Sequence, residues 1–88
     1  MIHREDVERY PGSLRELAED VGNLRYDALA GFLRLLAAKL EADASADEGR
    51  GRARLAVALR ASAADVAAAA SDIEMAWRIC EPHMRQKD

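Results

Sequence analysis

The chain has 88 residues, 50% of them hydrophobic and 33% charged, so it has enough apolar surface to form one folded domain and is not a disordered chain. The net charge of −3, from 13 basic and 16 acidic side chains, excludes a global bias toward nucleic acid or an anionic membrane. The single cysteine excludes an intramolecular disulfide, no apolar run approaches the roughly 20 residues of a membrane-spanning helix, and the first ten residues lack the apolar segment of a signal peptide.

Alanine dominates the apolar half of the composition: 19 residues are Ala and only four are aromatic. Ala is the strongest helix former, but each buried Ala removes little apolar area from water. The composition therefore predicts an all-α protein whose single chain makes only a thin core, and this mismatch favours self-association. The richness in Ala and Arg is typical of a GC-rich bacterial genome, and we expect a cytoplasmic location.

The chain begins with a polar segment, residues 1–12, for which we expect a loose lead-in that ends at Pro11-Gly12. Ser13 and Glu16 then have the spacing of a capping box, which predicts the start of a helix. We predict this first helix over residues 13–43, because apolar residues follow at steps of three and four. They are Leu14, Leu17, Val21, Leu24, Ala28, Phe32, Leu36 and Leu40.

Gly22-Asn23 is the weakest point of this first helix. Gly costs about 1 kcal/mol relative to Ala in a helix interior, and Gly followed by Asn is typical of one helix ending and another being capped. The apolar stripe nevertheless passes from Val21 to Leu24 in phase, so we predict one continuous helix. The alternative is a break here, which gives a three-helix monomer with a short helix folded back over a hairpin.

The hydrophobic pattern stops in the next segment, and we predict a turn at residues 44–51. Ser45 and Glu48 have a second capping-box spacing, and Gly49 and Gly51 weaken helix nearby.

A second helix is predicted over residues 52–81, with an end before Pro82 and a frayed tail at 82–88. Its apolar seam is a seven-residue repeat of the kind found in coiled-coil packing. The repeat consists of Leu59, Val66, Ile73 and Cys80.

Two helices of similar length joined by a short turn predict an antiparallel hairpin. Two helices alone cannot bury both the wide stripe of the first and the seam of the second, and a homodimeric four-helix bundle is the commonest remedy. The candidate interface residues are Leu29, Phe32, Leu33, Leu36 and Trp77. We therefore expect a protein that acts through self-association or as a protein–protein interaction module.

Basic residues cluster at the start of the second helix, from Arg50 to Arg60. Arg50, Arg52 and Arg54 are candidate anion-binding residues, because guanidinium groups pair with phosphates. The cluster lacks interleaved aromatic residues for base stacking, and acidic residues lie close by in the sequence. Nucleic-acid or anionic-ligand binding is therefore the alternative function.

Cys80 and His83 are metal-ligand types three residues apart, which makes a metal-binding bundle a further alternative. A structural zinc site needs four ligands, however, and only these two are close in the sequence. No nucleophile occurs with a base and an oxyanion hole in a recognisable pattern. We therefore expect no enzyme activity, no catalytic residue, no cofactor and no metal.

Overall fold

The computed structural model of the protein describes residues 3–86, with side chains described for residues 3–84. Three helices follow one another: α1 (Leu14–Gly22), α2 (Tyr26–Gly49) and α3 (Ala53–Gln86). The described range contains no strand, and the predicted all-α class is confirmed. Within that range no helix combines the length and the apolar character needed to cross a membrane.

The predicted continuous helix over residues 13–43 is wrong, because the chain breaks between α1 and α2. α1 ends at Gly22, and the Asn23 N–H donates to the carbonyls of Glu19 and Asp20 at 3.0 and 3.2 Å. Arg25 then has an extended backbone (φ −54°, ψ 142°) that cannot belong to a helix. The local signal of Gly22-Asn23 outweighs the in-phase apolar pattern.

α1 begins at the predicted capping box, which is confirmed. Ser13 Oγ accepts from the Glu16 N–H at 3.1 Å, and Glu16 Oε1 accepts from the Ser13 N–H at 2.9 Å. Tyr10, which precedes this cap, donates from its hydroxyl to the Asp20 carboxylate at the far end of α1. This hydrogen bond raises the pKa of Tyr10 to about 12.

The turn between α2 and α3 is shorter and later than the predicted turn at 44–51, because only residues 50–52 connect the two helices. Gly51 has φ +81°, and its N–H donates to the Glu48 carbonyl at 3.0 Å. The Arg52 N–H donates to the Asp47 carbonyl at 2.8 Å. Together these bonds form a Schellman motif, in which Gly supplies the left-handed residue that ends α2.

The predicted second cap at Ser45 and Glu48 is also wrong, since both residues lie inside α2. Their side chains contact Arg60 on α3. A polar pattern that resembles a helix start therefore marks the side of α2 that pairs with α3.

α3 continues past the predicted end at residue 81, and Pro82 lies inside the helix. Proline costs about 3 kcal/mol in a helix interior because it lacks an N–H and crowds the preceding turn. Pro82 removes only its own backbone N–H, however, so the N–H groups of the residues after it can still donate helical hydrogen bonds to the carbonyls one turn earlier. Of the predicted tail 82–88, residues 82–86 are helical, and 87–88 lie outside the described residues, as do residues 1–2 of the lead-in.

The buried core of the described chain consists of alanines alone, three on α2 and three on α3. Each set repeats every seven residues, and the two sets lie at equal distances from residue 50 along the chain. The antiparallel helices therefore meet in three layers of two alanines each. These layers are Ala30 with Ala70, Ala37 with Ala63, and Ala44 with Ala56.

The predicted seam on the second helix is displaced from this core. Leu59, Val66 and Ile73 each follow a buried alanine by three residues and are only half-buried. Small side chains at the contact let the two helix backbones approach closely, and the larger side chains are left at the edge of the contact. The aliphatic residues that were expected to fill the core therefore border it.

α1 packs only lightly on the rest of the fold and buries none of its own residues. Leu14 is 58% exposed, and Leu17 and Val21 are half-buried. Ahead of α1, His3 reaches the cavity beside the turn between α2 and α3. The segment before α1 therefore extends back toward the turn, while α2 and α3 form the body of the fold.

Candidate interaction surface

One side of the α2–α3 pair, the ionic flank, is closed by ion pairs among Arg34, Glu41, Glu48, Arg60 and Glu74. Arg34 on α2 donates to Glu74 on α3 at 2.6 and 3.0 Å. Arg60 on α3 donates to Glu41 at 3.2 Å and to Glu48 at 3.1 and 3.2 Å. These hydrogen bonds hold the pKa values of Glu48 and Glu74 below their usual range. Each charged side chain of this flank therefore has an oppositely charged partner within the chain.

The opposite side of the pair, the leucine flank, is apolar. Leu40 on α2 lines one cavity together with Leu55 and Leu59 on α3, so these residues share a side. On α2, the residues on the same side as Leu40 precede it at steps of three and four. On α3, the residues on the same side as Leu59 follow it at steps of seven. The members of the leucine flank are thus Leu29, Leu33, Leu36, Leu40, Leu55, Leu59, Val66 and Ile73.

No member of the leucine flank is buried. Leu36 and Leu55 are 38% and 45% exposed, and the other six are half-buried. Fully burying a side chain of this size is worth about 1.5–3 kcal/mol, so completing the burial of the flank would stabilise the fold further.

The structure brings together four of the five candidate interface residues. Leu29, Leu33 and Leu36 lie on the leucine flank, and Phe32, one turn before Leu36, lies at its edge with 42% exposure. Leu40, Leu55 and Leu59 were not among the candidates, because the sequence pattern assigned large aliphatic residues to the hairpin core. The seven-residue spacing of Ala30, Ala37 and Ala44 was the signal that could have corrected this assignment.

Trp77 lies apart from that group, at the open end of the pair, where α2 begins and α3 approaches its end. The guanidinium carbon of Arg25 lies 5.2 Å from the centre of the Trp77 ring, in a cation–π contact. Arg25 also donates to Asp27 at 2.7 and 2.9 Å, which holds the pKa of Asp27 below its usual range. The cation–π contact therefore holds the α1–α2 connection against α3.

The most exposed large apolar side chains do not form a second continuous surface. Leu35 is 74% exposed on α2, and Val57, Met75 and Ile79 are 68%, 59% and 67% exposed on α3. Val57 and Met75 lie about 27 Å apart along α3 at 1.5 Å per residue. Scattered apolar residues of this kind are common on protein surfaces, whereas the leucine flank is contiguous.

The overall dimensions show how much surface the chain exposes. Its accessible surface is 6994 Å², whereas a compact monomer of its mass exposes about 5100 Å². Its radius of gyration is 16.0 Å, whereas about 12 Å is typical of a compact chain of this length. The excess surface of about 1900 Å² exceeds the roughly 800 Å² that each partner buries in a standard interface.

A cavity of about 480 Å³, the turn-end cavity, lies on the leucine flank beside the turn. Its apolar lining is Leu40, Ala46, Leu55 and Leu59. Polar side chains complete the lining: His3, Asp43, Asp47, Arg50 and Arg52. Asp47 approaches Arg50 at 3.6 Å and Arg52 at 3.4 Å, so opposite charges meet within this polar part.

The predicted anion-binding residues are brought together at the turn, where two of the three share one carboxylate partner. Arg50 and Arg52 both pair with Asp47, and Arg60 belongs to the ionic flank. Arg54 forms no ion pair with the described residues. Asp47 therefore competes with an anion for Arg50 and Arg52, while Arg54 lies outside this pairing.

Cys80 and His83 are also placed near each other on α3, with Cys80 half-buried and His83 exposed. Cys80 lines a groove at the open end together with Tyr26 and Met84. In residues 3–86, no three or more His, Cys, Asp or Glu side chains gather as they would to hold a metal ion.

Comparisons with protein-family models, with curated proteins and with solved structures found no significant match to this chain.

Proposed function

We propose that the protein is a non-enzymatic helical module that works by self-association, with two copies packed through their leucine flanks into a four-helix bundle. The observation that carries this proposal is the contrast between a core made only of alanine and a flank of large aliphatic residues of which none is buried. A bundle of two such pairs would bury the flank without disturbing the ion pairs on the other side.

A second copy is the simplest occupant of the leucine flank, because a two-fold axis brings the same apolar surface to both sides of the interface. Helices of another protein would use the same surface, and the module would then act as an adaptor. Neither the arginine cluster at the turn nor the Cys80–His83 pair gains support from the geometry, so anion binding and metal binding remain alternatives of the sequence alone.

Sedimentation equilibrium of the wild-type protein and two adjacent variants tests this proposal. Leu36→Glu places a charge on the leucine flank, whereas Leu35→Glu makes the same change at a position that is already 74% exposed. We expect a wild-type dimer at micromolar concentration, little change in Leu35→Glu, and a dissociation constant at least about 100-fold higher in Leu36→Glu, because a two-fold interface loses the contact twice. A wild-type monomer, or equal behaviour of the two variants, contradicts the proposal.

A further inference from the structure

The two ends of the leucine flank are unlike in shape. At the turn, Leu55 and Leu59 line the cavity of about 480 Å³. At the open end, Tyr26 is 41% exposed and lines a groove with Cys80, which continues the seven-residue line that runs through Leu59 and Ile73. The turn end therefore has the larger cavity, whereas the open end has a groove of about 300 Å³ with the Tyr26 side chain in its lining.

The chemistry of the turn-end cavity suits a tyrosine. Tyr has an apolar ring with a hydroxyl at its tip, and such a side chain is best placed where one end of it meets apolar groups and the other meets polar groups. Leu40, Leu55 and Leu59 supply the apolar part of the cavity, and Asp43 and Arg52 lie in its polar part. The volume of about 480 Å³ leaves room for an aromatic side chain beside His3.

We propose that the turn-end cavity is the binding site for the Tyr26 ring of a second copy, which packs with its turn at the opposite end of the bundle. The inference rests on the proposed function, and it specifies the arrangement of the two copies. A two-fold axis perpendicular to the helices, near Leu33 and Leu36, exchanges the turn end of one copy with the open end of the other. The contact then occurs twice, and Leu55 of each copy approaches the groove at the open end of the other.

The excess surface supports a second copy as the occupant. The chain exposes about 1900 Å² more than a compact monomer, which exceeds the roughly 800 Å² that each partner buries in a standard interface. An arrangement with both turns at the same end would place cavity against cavity and ring against ring. It would leave the turn-end cavity unfilled, at a cost in packing.

Distances between spin labels, measured by double electron–electron resonance in the intact chain with Cys80→Ala, distinguish the arrangements. A label at Gly49→Cys marks the turn, where a side chain meets no atom within 4 Å. A label at Ala38→Cys, an exposed position near the middle of α2, is the matched control. We expect about 50 Å between the Gly49 labels and about 30 Å between the Ala38 labels, from 1.5 Å per residue and helix spacings of 8–10 Å.

Each outcome of the label experiment has one meaning. About 30 Å at both positions shows association with the turns at the same end, which overturns this inference and leaves the proposed function standing. No dipolar coupling at either position at micromolar concentration overturns both.

Two substitutions test the cavity itself. Tyr26→Ala is expected to raise the dimer dissociation constant by about 100-fold or more, because the ring is lost at both ends of the interface. Val57→Ala, at a residue 68% exposed near the turn, is the control and is expected to change it by less than about threefold. Far-ultraviolet circular dichroism is used to check that both variants fold. Equal dissociation constants for Tyr26→Ala and Val57→Ala overturn the assignment of the cavity.

Discussion

Replacing Ala70 with Leu tests whether the alanine layers determine how closely α2 and α3 approach. Ala70 is fully buried and lies level with Ala30, which is 1% exposed. A leucine at position 70 must place three additional carbon atoms in a contact that is already closed. Overpacking of this kind costs about 1–3 kcal/mol, which is a large share of the 5–15 kcal/mol that stabilises a typical domain.

The matched control is Ala68→Leu, two residues away on the exposed side of α3. Leu and Ala have similar helix propensities, so this variant is expected to stay within about 0.5 kcal/mol of the wild type. For a domain of this size, 1 kcal/mol lowers the melting temperature by about 4–8 °C, so Ala70→Leu is expected to melt about 5–20 °C earlier. Thermal unfolding is followed by circular dichroism at one protein concentration, because association makes the melting temperature depend on concentration. Melting of the two variants within about 2 °C of each other would refute the close helix contact.

Two further predictions follow from the connections between helices. The pKa of Tyr10, about 12, lies above its usual value of 10.0. The stabilisation that the hydrogen bond to Asp20 gives to the segment before α1 is therefore complete below pH 10 and is lost as the pH rises through about 12. Ultraviolet titration of tyrosinate should show this high pKa, and Asp20→Asn should bring it back toward 10.0; an unchanged value would exclude the hydrogen bond as its source. Gly51→Ala is expected to destabilise the protein by about 1–2 kcal/mol, since Gly51 has φ +81°. Gly49→Ala, in a helix with open space around it, should stabilise it by up to about 1 kcal/mol, and urea unfolding in which both variants shift the same way would contradict this account.

The features that were predictable from the sequence are those set by neighbouring residues. Helical periodicity and the alanine content predict the all-α class, and the spacing of Ser13 and Glu16 predicts the start of α1. The break after Gly22 was also visible, but it competed with an apolar stripe that continued in phase across it. The structure shows that the stripe belongs to two helices, since α1 and α2 are separated at Arg25.

The core was harder to predict, because its determinant is the distance between two helices. A hydrophobic pattern ranks leucine above alanine, and so it assigned Leu59 and Val66 to the contact. Close packing of antiparallel helices instead selects the smallest side chains, and Ala56 and Ala63 are the residues that the contact buries. The choice between the two interpretations also decides which residues remain free to bind a partner, so an error in the core becomes an error in the candidate interface.

The contact between Arg25 and Trp77 makes the only tryptophan of the chain an optical probe of one region. Its emission responds to the guanidinium above the ring, and therefore to whether the α1–α2 connection is attached to α3. The alanine layers, by contrast, contain no chromophore besides the peptide bond. Fluorescence and circular dichroism of this protein thus observe two different parts of the molecule, and any separation between their unfolding curves measures how independently the open end is released from the paired helices.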